Sequence, residues 1–269
     1  MRWIAALLLF LCVTAKALTL SWTNNFLAIS GPNIPGGNIR VLYIEAFCRS
    51  GSTDRDWNET VIPHKTTLLS SSADREHLEF LTTAENIEAR HSVQANDDEV
   101  EFTWTIKNTG SKPADLNWFQ PTCIEVDRFT GRAQSNYWNR CFIYTHKGLT
   151  MLDRTMRSEA ARYHGGQVYV APGIDLKSVN PRPISPDQPT NNLIGCFSAD
   201  NKWLLATAWD KTHELFQGVR ICIHGDPHIG GLAPGESKQV RGKLYILKNN
   251  PTELIRRYKR DFAASQPPS

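Results

Sequence analysis

The sequence predicts an all-β fold, a large antiparallel β-sandwich that ends in one short C-terminal helix. Short segments rich in Val, Ile, Tyr and Phe recur about every 8–12 residues, with Gly, Pro and Asn turn residues between them. Within Glu99–Asn108, strict alternation puts Val100, Phe102, Trp104 and Ile106 on one face, which is typical of a strand buried on one side. No internal repeat or linker is visible, so we expect one domain over residues 18–269.

Seven strands are predicted in the first part of the chain. Gly-Pro-Asn at residues 31–33 and Pro-Gly-Gly-Asn at residues 35–38 supply the first turns, and Asn-Asp-Asp at residues 96–98 joins the last two strands. The predicted strands are residues 18–22, Phe26–Ser30, 39–47, 61–69, 78–81, 85–94 and Glu99–Asn108.

The second part continues with short strands and then changes to a helix. Residues 179–192 carry four prolines in fourteen positions, which excludes a central strand and predicts a long surface loop. Residues 149–165 have a helix-like composition, and residues 252–262 are the terminal helix, with Thr252 as its N-cap. The predicted strands are residues 114–119, 123–127, Cys141–Thr145, Ile194–Phe197, Trp203–Trp209, 219–224 and 240–247.

Residues 1–17 are expected to be a signal peptide and not part of the fold. Arg2 gives a positive start, residues 4–13 form an apolar core, and Ala15-Lys16-Ala17 is a small-x-small cleavage site. The apolar run is shorter than the about 20 residues that a membrane-spanning helix needs. We therefore expect a secreted or periplasmic protein, without a membrane anchor after cleavage.

Charge and missing motifs exclude several classes of function. Without Arg2 and Lys16 the formal charge falls from +3 to +1, whereas nucleic-acid-binding proteins are usually strongly basic. The sequence has no Gly-rich phosphate loop, GxSxG elbow, HExxH motif or dinucleotide fingerprint, which argues against nucleotide-dependent chemistry. An odd number of cysteines remains after cleavage, and their pairing is open: Cys48, Cys123, Cys141, Cys196 and Cys222.

Two turn–strand patterns carry a resemblance to a known family. Residues 104–121 place Asn108-Thr-Gly-Ser-Lys-Pro113 between two strands, and Leu232-Ala-Pro-Gly-Glu236 precedes the last predicted strand. The first pattern is similar to the N-x-G-x-x-P hairpin of the galactose mutarotase-like β-supersandwich superfamily, which leads into the sugar-binding cleft. The turn that begins at Leu232 resembles the closing turn of that superfamily. The resemblance implies a supersandwich fold and a carbohydrate ligand.

One position departs from the family pattern. Mutarotases carry a catalytic histidine in a His-Pro dipeptide where the second hairpin strand enters the cleft, whereas this chain has Gln120-Pro121. Glutamine cannot exchange a proton near neutral pH as histidine does. The departure argues against a simple aldose epimerase and leaves Gln120 as a substrate-binding candidate.

The densest group of ionisable residues lies near the C-terminal end. Four side chains recur at every second position, so an extended segment puts them on one face, where they are candidates to bind a divalent metal ion: Cys222, His224, Asp226 and His228. His224 oriented by Asp226 is also a candidate acid–base pair. Alternatively, Gly225 and Pro227 interrupt the strand and leave a polar turn beside a buried cysteine.

Other ionisable and aromatic residues suit a carbohydrate site, because aromatic rings stack on sugar faces and polar groups bind hydroxyl or carboxyl groups. Glu214 is the best acid among them, and His64 leads a predicted strand. The substrate-binding candidates are Glu45, Arg49, Trp57, Gln120, Tyr163, His164, Trp209 and Gln217. The alternatives are a core position for Trp209, a surface ion pair for Arg49, a loop position for His64 and an ordinary aromatic loop at residues 163–164.

We therefore expect an exported carbohydrate-active protein that cleaves a glycosidic bond of a poly- or oligosaccharide by acid–base chemistry. The catalytic candidates are His224, Asp226, Glu214 and His64. Lyase and hydrolase are not separated, and no cofactor is implied beyond the divalent metal ion. The alternatives are a non-catalytic carbohydrate-binding module or periplasmic accessory protein, and a metal-stabilised structural domain. The oligomeric state stays open.

Overall fold

The fold is described from a computed structural model that covers residues 18–157 and 166–263. The expected signal peptide, together with Tyr163 and His164, lies outside these residues. Antiparallel strands in three sheets make up nearly half of the described chain, and a short helix lies at its C-terminal end, so the predicted fold class is confirmed. No helix among the described residues is long and apolar enough to cross a membrane.

A seven-stranded sheet forms one layer of the sandwich. All of its neighbouring strands pair antiparallel. In spatial order it contains β1 (Thr19–Thr23), β2 (Phe26–Ser30), β3 (Asn38–Leu42), β11 (Cys123–Glu125), β18 (Cys222–Pro227), β17 (Thr212–Gln217) and β14 (Gln167–Val170).

A nine-stranded sheet forms the second layer, and a three-stranded sheet lies beside the two. The nine-stranded sheet contains β13 (Gly148–Met151), β12 (Cys141–Thr145), β15 (Ile194–Phe197), β16 (Trp203–Trp209), β19 (Ser237–Lys248), β9 (Glu99–Asn108), β8 (Ile87–Ala95), β7 (His77–Ala84) and β6 (Lys65–Ser71). The three-stranded sheet contains β10 (Trp118–Gln120), β4 (Ala46–Cys48) and β5 (Val61–Ile62).

One hydrophobic core lies between the two large sheets. Alternate residues of the seven-stranded sheet, such as Val41, Ile124 and Ile223, share a single buried cluster with Phe102 and Trp104 of the nine-stranded sheet. Each large apolar side chain that is fully buried stabilises the fold by about 1.5–3 kcal/mol. The opposite face of the seven-stranded sheet is therefore free to carry polar side chains.

Helix α3 (Pro251–Asp261) covers the other face of the nine-stranded sheet, after two short helices, α1 (Trp57–Thr60) and α2 (Asp127–Thr130). Leu254, Tyr258 and Phe262 recur at every fourth position and pack in one buried cluster with strand residues. The N-cap is Asn250, whose side chain accepts a hydrogen bond of 3.1 Å from the Glu253 amide, and not Thr252 as predicted.

Several predicted elements have different bounds. Residues 39–47 form two strands in two sheets, because the chain changes direction after Leu42. Residues 61–69 likewise divide between β5 and β6. The segment 149–165 has a helix-like composition, and its described part contains the end of β13 and a 3₁₀ turn at Leu152–Arg154. The proline-rich segment 179–192 contains no strand, as predicted.

Candidate functional site

A cleft of about 810 Å³ opens on the face of the seven-stranded sheet that points away from the core. The strand register explains why these side chains meet there: Leu42 pairs with Cys123, Glu125 with Cys222, and Phe216 with His224. Cross-strand partners lie on the same face of a sheet. The cleft is lined by residues of β2, β3, β10, β11, β17 and β18, by Trp57 at the start of α1, and by the loops around Asn180 and Arg220.

Glu45 reaches the cleft from a corner of the chain. It lies between β3 and β4, where the backbone leaves the seven-stranded sheet for the three-stranded one. Its amide donates a 2.9 Å hydrogen bond to the Gln120 carbonyl, which fixes the corner. Its side chain is 36% exposed, and Oε2 lies 3.6 Å from Nδ1 of His224. Glu45 is thus a carboxylate that solvent and ligand can reach.

The imidazole of His224 lies at the centre of the cluster. The ring is buried and packs against Phe216, with 5.0 Å between ring centroids. Nε2 lies 3.2 Å from the Cys222 sulfur. On the other side, Nδ1 faces Glu45 and lies 3.8 Å from Oδ1 of Asp226. Each ring nitrogen therefore has an acidic group beside it.

Asp226 supports the imidazole from below the cleft surface. Its side chain is fully buried, and Oδ2 accepts a 2.9 Å hydrogen bond from the Gln120 amide nitrogen. Its other oxygen and Nδ1 of His224 have no hydrogen-bond partner among the described residues. Burial raises the pKa of Asp226 well above its usual range. The nearby Glu214 carboxylate raises it further, whereas His224 and Gln120 lower it but do not outweigh the burial.

The electrostatics favour a charged pair between Cys222 and His224. Burial disfavours the imidazolium, but the thiolate of Cys222 and the carboxylates of Glu45 and Asp226 outweigh it and raise the pKa of His224 to about 10. A hydrogen bond from Cys123 and the charge of His224 together lower the pKa of Cys222 to about 6, although burial of the thiol acts in the opposite direction. The same hydrogen bond, together with burial, raises the pKa of the donor Cys123.

Three side chains of this cluster could hold a metal ion. Ligand atoms of Cys123, Cys222 and His224 lie within 4.8 Å of one another. Cys222 and His224 were predicted as metal candidates, whereas Cys123 was not, because it lies 99 positions away in the sequence. Pairing of Ile124 with Ile223 puts Cys123 opposite His224. The sequence offered one signal for Cys123, its position two residues after the Gln120-Pro121 dipeptide of the hairpin.

The strand interruption at Gly225 and Pro227, which the sequence left open as an alternative, is absent from the structure. β18 runs from Cys222 to Pro227, and Pro227, which lacks an amide hydrogen, is its last residue. Cys222, His224 and Asp226 share one face, as the alternation predicted. His228 lies beyond the strand and stacks against His213, at 5.5 Å between ring centroids, so it does not join the other three.

Some predicted residues line the cleft and others lie beneath it. Glu45, Trp57, Gln120, Cys222 and His224 all line it. Glu214 is fully buried next to Asp226: its carboxylate accepts a 3.0 Å hydrogen bond from the Asn180 amide and lies 3.1 Å from Nδ1 of His213. In this structure a buried carboxylate with these partners has no access to a ligand.

Four other candidates lie away from the cleft, each for a clear packing reason. His64 packs on the ring of Phe47, at 5.4 Å between centroids. Arg49 forms an ion pair with Glu85.

Trp209 is fully buried in the core, in contact with the rings of Phe102 and Phe119, so it is not a rim residue. Gln217 is buried as well and accepts a hydrogen bond from Arg157. The core position of Trp209 and the ion pair of Arg49 correspond to the alternatives that the sequence left open.

Two cleft arginines are among the residues that the sequence did not single out. Arg182 follows the first proline of the proline-rich loop, and Arg220 lies between β17 and β18; both are exposed. Within residues 18–157 and 166–263, neither guanidinium takes part in a hydrogen bond or an ion pair. They give one side of the cleft a positive charge.

Comparisons with known proteins find similarity only among solved structures. No protein-family model and no curated protein matches the chain. A galactose mutarotase-like protein from Clostridium acetobutylicum is 12% identical, with a TM-score of 0.45 over 85% of this chain and 94% of that one. One from Lactobacillus casei is 10% identical, with a TM-score of 0.42 over 85% and 99%. A polysaccharide lyase is 12% identical, with a TM-score of 0.39 over 89% of this chain and 34% of the other. The similarity to galactose mutarotase-like structures is weak, with low TM-scores and identities.

Proposed function

We propose that this protein binds a poly- or oligosaccharide in the cleft and cleaves a glycosidic bond by acid–base chemistry. The observation that carries the proposal is the Glu45 carboxylate, which is 36% exposed at the cleft and held 3.6 Å from Nδ1 of His224. The proposal includes export, which rests on the signal-peptide pattern of residues 1–17. The names of the similar structures, which include mutarotase-like proteins and a polysaccharide lyase, agree with a carbohydrate ligand.

The size and lining of the cleft support a sugar ligand. Its volume of about 810 Å³ falls within the range of about 300–1,000 Å³ that is usual for small-molecule sites. Phe26, Trp57 and Phe216 supply aromatic surface, on which the C–H face of a sugar ring can stack. The exposed arginines supply hydrogen-bond donors for hydroxyl and carboxyl groups.

Glu45 is the group proposed to transfer the proton. A general acid or base must come within hydrogen-bond reach of the substrate, and Glu45 is the exposed carboxyl next to the buried His224. Asp226 and Glu214 are fully buried, so their part is to hold the charge and orientation of the groups above them. Nδ1 of His224 is placed to donate to Glu45 and fix the carboxylate as the substrate binds.

The two exposed arginines of the cleft suggest how an acidic sugar would be bound. A uronate carboxylate pairs well with a guanidinium, which offers two parallel hydrogen bonds. Such pairing also stabilises the negative charge that builds up when a base removes the neighbouring ring proton in an elimination. Hydrolysis would instead need protonation of the glycosidic oxygen by Glu45. The products tell these two reactions apart.

The test is a product screen with a matched pair of variants. The purified protein is incubated with uronate-containing and neutral polysaccharides, and unsaturated products and new reducing ends are both measured. Replacing a general acid or base lowers rates by about 10²–10⁴-fold, which is the expected effect of Glu45→Gln. Glu59→Gln, an exposed carboxyl on α1 that does not line the cleft, is the control and should retain full activity.

Three results would count against the proposal in different ways. Binding without product in every case would favour the non-catalytic carbohydrate-binding module. Neither binding nor product with any polysaccharide would contradict both. Activity that survives in Glu45→Gln would contradict the assigned role of Glu45 and leave the substrate class standing.

A further inference from the structure

The floor of the cleft brings two thiols and one imidazole together on paired strands. The donor atoms of Cys123, Cys222 and His224 lie within 4.8 Å of one another, and the Cys222 sulfur lies 3.2 Å from Nε2 of His224. A tetrahedral zinc ion, with Zn–S of about 2.3 Å and Zn–N of about 2.0 Å, needs sulfur and nitrogen roughly 3.5 Å apart. The observed spacing meets this requirement with small side-chain adjustments.

The surrounding side chains match what a metal-bound histidine needs. When a metal takes one ring nitrogen, the other carries the proton and donates it to a carboxylate or carbonyl group. Here Nδ1 of His224 faces Glu45 Oε2 at 3.6 Å and Asp226 Oδ1 at 3.8 Å. Nδ1 and Oδ1 are both buried without a hydrogen-bond partner among the described residues. Gln120 holds the other oxygen of Asp226 in place.

The backbone around Cys222 also holds its sulfur in position. Gly218 donates a 2.9 Å hydrogen bond to the Cys222 carbonyl, and the Tyr137 hydroxyl donates a second of 3.2 Å. A Cβ atom at position 218 would lie 2.2 Å from the Cys222 sulfur, so only glycine allows this approach. These contacts fix the sulfur on rigid elements, as a metal site requires.

We infer that Cys123, Cys222 and His224 bind a zinc ion at the floor of the cleft, with the fourth coordination position facing the cleft. Two sulfurs and one imidazole nitrogen are the donor set that zinc prefers, whereas magnesium and calcium prefer oxygen. All three ligands line the cleft, so the remaining position is open to water or to a hydroxyl group of a ligand. Two thiolates neutralise the charge of the ion, and the two carboxylates remain outside its coordination shell.

This inference does not depend on the proposed function, because zinc binding is measured without any sugar. Protein purified under reducing conditions and without chelators is analysed for metal content, and about one zinc per chain is expected. Cys123→Ala and Cys222→Ala are each expected to lower the content at least about tenfold, since a site left with two protein ligands loses most of its affinity. The control is Cys196→Ala, a buried cysteine in the nine-stranded sheet, which should retain the metal.

A second measurement keeps the test valid if the variants do not fold. Zinc is removed from the wild-type protein with a chelator and replaced by Co²⁺, which absorbs visible light strongly in a tetrahedral site and shows sulfur-to-cobalt charge transfer in the near ultraviolet. Both bands are expected. Their absence together with metal-free protein would overturn the inference, as would a Cys123–Cys222 disulfide found by mass spectrometry of the non-reduced chain. Full zinc content in both cysteine variants would overturn it too.

Discussion

A buried histidine that does not line the cleft predicts a loss of stability in mild acid. The ring of His91, in β8, is stacked between Phe80 and Trp104, with centroid distances of 5.1 and 3.9 Å. Its two nitrogens lie 2.7 Å from the Tyr43 hydroxyl and 2.9 Å from the Thr82 hydroxyl, both of which are neutral partners. Burial in these surroundings lowers the pKa of His91 from 6.5 to about 3.

The sign of the effect follows from the two pKa values of His91. Because the folded value lies below the unfolded one, the unfolded chain takes up the proton first as the pH falls. Stability is therefore fully present above pH 6.5 and is lost as the pH falls from there toward about 3. Between pH 7.5 and pH 5 this shift removes about 2 kcal/mol from the free energy of unfolding, and each further pH unit removes about 1.4 kcal/mol.

Urea unfolding followed by tryptophan fluorescence measures this loss directly. The wild-type protein and His91→Gln are compared at pH 7.5 and pH 5, because glutamine keeps a polar group but takes up no proton in this range. The variant is expected to be less stable at pH 7.5, yet to lose about 2 kcal/mol less on acidification. His146→Gln, at an exposed histidine, serves as the control. Equal losses in the wild-type protein and His91→Gln would refute the reasoning.

Two further pairs of substitutions are informative: the first compares the core residue Trp209 with the cleft residue Trp57, and the second tests the N-cap of helix α3. Trp209→Ala should lower the free energy of unfolding by about 3–5 kcal/mol, since it empties a fully buried core position. Trp57→Ala should cost less stability and should weaken binding of any polysaccharide ligand roughly tenfold, or about 1.4 kcal/mol. Urea unfolding measures the change in stability, and calorimetric titration measures the change in binding. Weaker binding in Trp209→Ala and a larger loss of stability in Trp57→Ala would contradict the assigned cleft. At the terminal helix, Asn250→Ala should lower the free energy of unfolding by about 1 kcal/mol, because Asn250 makes the capping hydrogen bond. Thr252→Ala should not lower it, because Thr252 is exposed within the helix and alanine is a better helix former than threonine. Equal thermal stability of these two variants would contradict the capping assignment.

Strands buried on one face were predicted from the period-two pattern, as in Glu99–Asn108, and strands buried on both faces from short apolar runs between turn residues. Phe26–Ser30, Glu99–Asn108, Cys141–Thr145, Ile194–Phe197 and Trp203–Trp209 have the predicted bounds. The pattern could not show that residues 39–47 serve two sheets. Both halves are apolar, and a change of sheet alters the partners of a strand without altering its composition.

The site was predicted in part, for a related reason. Alternation within β18 put Cys222, His224 and Asp226 on one face, since this depends only on local geometry. The approach of Cys123 and Glu45 depends on which strands are neighbours, and that is decided by packing of the whole sandwich. Trp209 was expected at a rim because it lies near Glu214 in the sequence. It is buried because β16 has a packed layer on both faces, the core on one and helix α3 on the other.

Glu45 lies in a corner between two strands, so the position of its carboxylate does not depend on the register of either strand. A residue within a strand can move only by two positions if it is to stay on the same face, and its neighbours must move with it. Glu45 lies outside β3 and β4, which belong to different sheets. The place of the corner is set by its own contacts, because the Glu45 amide binds the Gln120 carbonyl and Tyr43 and Ile44 are buried. Glu45→Asp would therefore draw the carboxyl group back from the cleft by one methylene while both flanking strands kept their pairing.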